Sequence, residues 1–526
     1  MEKALEMGKT SAVGSFHLFI GVAASTIIMA VGTVVLAWFI SPEEYGLYTI
    51  ALVPSLMIVL FRDWGINSAI TRYIAYLRAE NKTEDIRSII TVGIIFEAVI
   101  GLTLSLISFF LAGFIASTVF NRPESASLIS IVSVTIFSGA LLTAAQSSFV
   151  GFERMELYSF TSICQAIIKT VISPLLVFFG YSALGAVLGY TASFLAASII
   201  GLIILYVILF RKIEKTDSRK LEFSNALKMM LRYGVPLSIS AILSGFMIQF
   251  YSFMLPIFCT DTMIGNYQIA AQFAVLLTFF TFPISTVLFP VFAKLESKND
   301  SQLLQTVFSS STRYSAMLLV PATMVMIVLS RPMIGTLFGE KWIYAPFFLS
   351  LYVVNNLFIL LGNITLSSFL AGLGETRLLM KLGILTLALG VPLAFVLIPA
   401  FGVVGAILGL LVAGVPSLLF SLYWTWKNYK VKVDFKSSAR IFVASATAAL
   451  VAYLSVCFLG IAEWARLIIG GTVFLAFYLI IAPAIGAVTQ MDIDNLRAML
   501  SGLGFISKLI NIPLTIVERI LRFHYF

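Results

Sequence analysis

Only 11% of the 526 residues are charged and only two are histidine, so the chain has little of what most active sites are built from. Neither histidine lies near a cysteine or a carboxylate cluster, which argues against a metal site. The three cysteines, Cys164, Cys259 and Cys457, stand apart with no C-x-x-C spacing, so a disulfide framework is not expected. No G-x-x-x-x-G-K-[ST] phosphate loop occurs, and the chain itself is not expected to hydrolyse ATP. The acids predicted on one face, Glu43, Glu44, Glu124, Asp261, Glu340 and Glu463, are scattered singly over short connections. A glycosyltransferase or polymerase needs a sizeable loop that presents carboxylates to its substrate, and none is available. The sequence therefore reads as a protein without enzymatic activity and without a cofactor.

What is present in abundance is apolar surface. A hydrophobic content of 60% and a mean hydropathy of +1.02 exceed what a soluble chain can hide in a core. Runs of about 20 apolar residues, each long enough to cross the hydrocarbon, suggest about 14 transmembrane helices. They fall at 13–40, 46–67, 89–112, 128–150, 160–179, 183–210, 233–256, 267–291, 314–337, 345–370, 379–398, 403–426, 441–459 and 467–488. The N-terminal segment lacks a small-residue cleavage site after its apolar run, so the first span is expected to be retained.

Placement explains the net charge of +9 without invoking nucleic acid. With the N-terminus inside, the cytoplasmic connections hold 28 of the 34 Lys and Arg residues. The other side has only Arg122, Arg331, Lys341 and Arg466, while Arg62 and Lys169 fall within spans. This bias puts both termini in the cytoplasm.

Three stretches recur about 220 residues apart in the same order. Residues 40–51 (ISPEEYGLYTIA) align with 259–270 (CTDTMIGNYQIA), 75–81 with 293–299, and 184–190 (LGAVLGY) with 404–410 (VGAILGL). An all-α polytopic fold of two six-helix lobes related by duplication follows, with two extra helices at the C-terminal end. The boundaries read as 1–210 for the first lobe, 211–232 for a charged cytoplasmic linker, 233–427 for the second lobe and 428–490 for the two extra spans. Residues 491–526 read as an amphipathic cytoplasmic tail in which Asp492 caps a short helix and 506–526 lie on the membrane surface.

Charges inside hydrocarbon are costly and mark either pathways or locks. Glu97 and Lys169 lie roughly 12–15 Å into helices that both run outward, at 1.5 Å per residue, so a Glu97–Lys169 pair can form. It reads either as a structural lock or as a pair that opens when an anionic headgroup competes for Lys169. His17, Arg62, Asp63 and Arg72 fall at comparable depth near the cytoplasmic side. They form either a cationic vestibule for phosphate, since guanidinium matches phosphate oxygens bidentately, or an interfacial snorkel. Asp63 and Glu97 are the acids available for coupling or gating. Gln249, Gln272, Asn355 and Asn356 are amides that either contact sugar hydroxyls or hold helices together.

Several stretches resemble a known family. Ser41-Pro42-Glu43-Glu44-Tyr45-Gly46-Leu47-Tyr48 is similar to the turn after the first span of polysaccharide biosynthesis membrane proteins, and 63–75 (DWGINSAITRYIA) resembles the segment that follows it. Gly151-Phe152-Glu153-Arg154-Met155 and 372–377 (GLGETR) resemble the loops after the fourth and tenth spans. The family belongs to the multidrug/oligosaccharidyl-lipid/polysaccharide flippase superfamily. The resemblance implies a monomeric plasma-membrane carrier that alternates between inward-open and outward-open states and moves polyprenyl-linked saccharide to the outer leaflet. It further implies a cationic cavity for the pyrophosphate, mapped here to Arg62, Lys169 and Arg72. With no ATP site, direction would come from a coupling ion (Na+ or H+), the membrane potential or consumption of the product. The alternatives are a multidrug or cation antiporter of the same superfamily, which needs buried acids, and a scaffold for glycan enzymes.

Overall fold

A computed structural model of the protein describes residues 2–80, 82–213, 222–277, 288, 292–293, 301–500, 515 and 518. Among these residues every regular element is a helix. Among the described residues, nine helices are long and apolar enough to cross a membrane, or ten if the bent pair Ala345–Leu361 and Asn363–Gly372 counts as one span. The chain is an all-helical, multi-pass membrane protein.

Two of the nine, Met155–Lys212 and Thr376–Tyr429, are too long for one crossing and double back at a glycine with non-helical backbone. These are Gly180 (φ 92°) and Gly402 (φ 59°), in the left-handed region that favours a residue without a side chain. Ser173 Oγ donates to the Ala186 carbonyl across the first hairpin, and the Thr386 and Ser417 hydroxyls meet at 2.7 Å across the second. Repeat partners serve these hairpins alike. A Cβ on Gly185 would meet the Leu176 backbone at 2.9 Å, and one on Gly405 would meet the Leu397 carbonyl oxygen at 1.9 Å.

The chain folds as two compact units. The first comprises Met1–Gln268 and Ala394–Ala406, the second Ile269–Leu393 and Ile407–Phe526. In the first, α1 (Glu2–Phe39) lies along α6 (Met155–Leu176) through small residues. Gly21 rests on Ser159 and Gly32 on Thr170, whose hydroxyl donates to the Ile28 carbonyl. Close backbone approach of this kind replaces the hydrophobic drive that is absent between helices in lipid.

The expected second span differs from the structure. The helix α2 (Pro42–Val59) stops early, and a new amphipathic helix, α3 (Ile66–Ala79), begins after a turn. Gly65 adopts φ 75° there, and Asp63 Oδ1 accepts from the Gly65 N–H at 2.8 Å, an Asx turn that leads into α3. Ile66, Ile70 and Ile74 of α3 then bury against Ile86, Ile89 and Ile90 of α4 (Thr83–Phe114), with Phe149 and Met230. Residues 214–221 of the expected linker lie outside the described residues. Its last part, from Phe223, is already helical and runs without a break into α8 (Phe223–Phe258).

The second unit is built around an aromatic core in which Phe292 and Phe308 meet Phe369 edge to face. The expected tenth span is bent by 55° at Gly362, between a 3-10 stretch, Val354–Leu361, and the helix Asn363–Gly372. The short tail helix is present as Gln490–Leu500, but Asp492 is not its cap. Thr489 occupies that position, and Asp492 reaches back from the first turn to accept from the Thr489 N–H at 2.8 Å and hydroxyl at 2.7 Å, in the manner of a capping box. Asp492 also pairs with Arg313 at 2.6 Å and is 4% exposed. Asp492→Ala strips three bonds from one carboxylate oxygen and leaves Arg313 half-satisfied. A loss of about 1–3 kcal/mol is expected, read as a lower melting temperature in detergent and faster proteolysis beyond residue 489. Equal melting would show that the tail helix is not integral to this unit. Apart from residues 515 and 518, the segment 506–526 lies outside the described residues.

Candidate functional site

The most buried charges in the first unit belong to one cluster. Arg62 sits in the turn that follows α2, and its unwinding lets the side chain enter the protein instead of following the helix axis. Its guanidinium donates to the Thr143 hydroxyl at 3.1 Å and to the Ile136 carbonyl at 3.4 Å, both on α5 (Ser125–Gly151). Gly139 makes room between them, since a Cβ there would sit 3.1 Å from Arg62 Nη1. Arg62 Nε lies 3.7 Å from Glu97 Oε2, with side-chain exposures of 6% and 0%. Asn67, at the start of α3, donates from Nδ2 to Glu97 Oε1 at 3.0 Å.

This network is not fully satisfied. Arg62 Nε, Glu97 Oε2 and Asn67 Oδ1 are all buried without a hydrogen-bond partner. A buried ion pair repays its desolvation only when its remaining donors and acceptors are filled, so the arrangement is costly as it stands. Three unmet atoms in one place give the cluster capacity for a proton, for water or for the oxygens of an anionic group that takes the guanidinium from Glu97.

The structure separates the other residues expected from sequence. Glu97 does not pair with Lys169: its partners are Arg62 and Asn67. Lys169 lies instead over the Tyr190 ring, 5.3 Å from its centroid. It helps line a cavity of about 10 Å³ with Tyr45, Tyr48, Thr170 and Ser173, which is about one water's room. Asp63 is spent on the turn at Gly65. Arg72 is exposed on α3, its guanidinium 4.2 Å over the Tyr233 ring and 5.7 Å from that of Tyr73. Of the expected vestibule of His17, Arg62, Asp63 and Arg72, the last three have different partners: Arg62 turns to α5 and Glu97, Asp63 to the Gly65 N–H, and Arg72 to the Tyr233 ring. The side chain of His17 lies outside the described residues. Gln249 is half-buried on α8 in the first unit. In the second unit, Gln272 and Asn355 are exposed and Asn356 is half-buried.

Asn67, Thr143 and Gly139 were not singled out from sequence. A signal was there: Gly93, Glu97 and Gly101 recur every four residues on α4 and define one close-packed face. A Cβ on Gly93 would meet Ile70 of α3 at 2.6 Å, and one on Gly101 would meet Ala140 of α5 at 2.7 Å, so Glu97 between them points at both helices.

The model for a family described as polysaccharide biosynthesis protein matches residues 11–296. The chain is 26% identical over 432 residues to the lipopolysaccharide biosynthesis protein WzxC of Escherichia coli, covering 80% of each chain. It is 27% identical over 199 residues to the probable low-salt glycan biosynthesis flippase Agl15 of Haloferax volcanii, covering 36% of this chain and 40% of that one. Among solved structures, an inward closed conformation of the lipid II flippase MurJ aligns with a TM-score of 0.70 at 17% identity, over 89% of this chain and 99% of that one. An inward-facing multidrug transporter of the MATE family aligns with a TM-score of 0.60 at 16% identity, over 78% of this chain and 98% of that one. At such identities the likeness is one of fold.

Proposed function

Because the chain belongs to the polysaccharide biosynthesis protein family, we propose that it is a flippase that carries polyprenyl-(pyro)phosphate-linked oligosaccharide from the cytoplasmic to the outer leaflet by alternating access. The observation that carries this reading is the buried Arg62, held near but not closed upon Glu97, with unfilled hydrogen-bonding capacity around it. A guanidinium in that state can exchange a carboxylate for a phosphate without moving far. The isoprenoid tail stays in lipid while the sugars and phosphates cross a polar route, because exposing them to hydrocarbon would be prohibitive. The names of WzxC and Agl15 support the same reading. We place the protein in the plasma membrane with both termini in the cytoplasm, on the distribution of Lys and Arg, acting as a monomer. Protonation of Glu97 would release Arg62, which makes H+ the coupling ion that fits this cluster.

The rival reading is a multidrug antiporter, and it is weakened because the buried acid of this cluster, Glu97, is committed to Arg62 and Asn67. The test is purified protein in liposomes that carry a fluorescent polyprenyl-pyrophosphate oligosaccharide, with dithionite bleaching the outer leaflet. Bleaching is expected to run nearly to completion as inner-leaflet lipid is delivered outward. Bleaching that stops at the outer-leaflet share, in vesicles that do take up cationic drugs, would replace the flippase by the antiporter.

A further inference from the structure

A groove in the second unit is amphiphilic by construction and has no part in the site above. It lies where the helix Thr376–Tyr429 ends and the helix Phe435–Cys457 begins, at the headgroup level of whichever leaflet faces this end. Its volume is about 320 Å³, and its walls include Phe308, Leu422, Val431 and Val433. Tyr423, Trp426 and Phe435 stand at its mouth, 49%, 46% and 61% exposed. Aromatic side chains of this kind settle at the membrane interface.

Two features mark it as built. Thr425 lines the groove at 1% exposure, and its hydroxyl has no hydrogen-bond partner. The extended segment between the helices is pinned on both sides of one residue: Gln305 Nε2 donates to the Lys432 carbonyl at 2.9 Å, and the Lys432 N–H donates to Gln305 Oε1 at 2.7 Å. That clamp sets Lys432 Nζ 5.7 Å over the Trp426 ring, and Lys427 Nζ lies 5.8 Å over the Tyr423 ring. Residues 427–436 carry four lysines against one acid, Asp434, which is itself occupied in capping the next helix through the Ser437 N–H.

We infer that this groove binds a diacyl anionic phospholipid of the adjoining leaflet. One acyl chain lies against the aromatic and aliphatic walls, the phosphate bridges Lys427 and Lys432, and a glycerol or ester oxygen reaches the Thr425 hydroxyl. The inference stands independently of the proposed transport activity. A lipid held here would splint the junction between two successive helices, and the activity of the protein would follow the anionic content of its membrane.

The test uses the full chain in a neutral detergent, titrated with phosphatidylglycerol or phosphatidylcholine whose acyl chains are brominated. Trp426 is the reporter, read as the fluorescence difference between the native chain and Trp426→Phe. Saturable quenching is expected for phosphatidylglycerol. Two lysines at a headgroup favour it over phosphatidylcholine by about thirtyfold in half-quenching concentration. Lys427→Gln with Lys432→Gln, both at exposed positions, should remove most of that preference and leave the phosphatidylcholine titration unchanged. Equal titrations for the two lipids in the native chain would overturn the inference, as would a preference that survives the double substitution. If unbrominated polyprenyl phosphate displaces the bromolipid far below the concentration at which unbrominated phosphatidylglycerol does, the groove belongs to the carrier lipid and the inference is likewise overturned.

Discussion

Arg62→Leu combined with Glu97→Leu is expected to give a protein that accumulates and melts closer to the native chain than either single variant yet fails to export glycan, whereas either substitution alone is expected to cost about 3–5 kcal/mol of stability. The asymmetry follows from burial. Removing one partner leaves a full charge, 5% or 0% exposed, with nothing to neutralise it. Removing both leaves no unpaired charge in a region already walled by Ile136 and Gly139, and what is lost is the Asn67 bond to Glu97, about 1–3 kcal/mol. Stability and function therefore separate in the double variant, which neither single variant can achieve. The measurements are the melting temperature in detergent and, in cells, the lipid-linked saccharide retained on the cytoplasmic face against glycan at the surface. Native levels of surface glycan in the double variant would reduce the pair to a lock between α2, α4 and α5.

Much of the fold was legible because membrane crossings announce themselves by composition alone. The site was legible only by residue identity. Depth arithmetic placed Glu97 and Lys169 at one level, but a rise of 1.5 Å per residue says nothing about which way a side chain points around its helix. That azimuth is set by packing. Gly93 and Gly101 turn Glu97 toward α3 and α5, while Lys169 on α6 faces Tyr190. The break at 60–65 was hidden for a different reason. A window of about 20 residues averages Asp63 and Gly65 into the apolar run around them, although an Asp two residues before a Gly is a sound turn signal taken by itself. The bend at Gly362 escaped in the same way.

Gly46 on α2 and Gly265 on α9 (Asp261–Ala274) are repeat partners, and the structure brings them to the same crossing. A Cβ on Gly46 would lie 1.9 Å from the carbonyl oxygen of Asp261, and one on Gly265 would lie 2.1 Å from that of Pro42. Pro42 and Asp261 are themselves repeat partners and the first residues of their helices, so each glycine sits on the opening residue of the other helix, and the contact is its own mirror under the repeat. Arg122 fastens the same place, pairing with the Asp261 carboxylate and donating to the carbonyls of Pro256 and Cys259. The obstacle to a side chain is backbone, which cannot rotate away, so the two helix ends would have to part. Gly46→Leu is expected to cost on the order of 3 kcal/mol or more, at the upper end of overpacking, and Gly265→Leu a similar amount. The pair together should cost clearly less than the sum, because the first substitution already opens the crossing that the second would strain. Gly113→Ala, at a helix position with nothing within 4 Å, supplies the comparison and should be neutral or slightly stabilising. Thermal melting of the four variants in detergent decides the matter. A Gly46→Leu chain that melts with the Gly113→Ala one would mean that α2 and α9 do not cross at these glycines, and fully additive losses would mean that the two positions are not one contact.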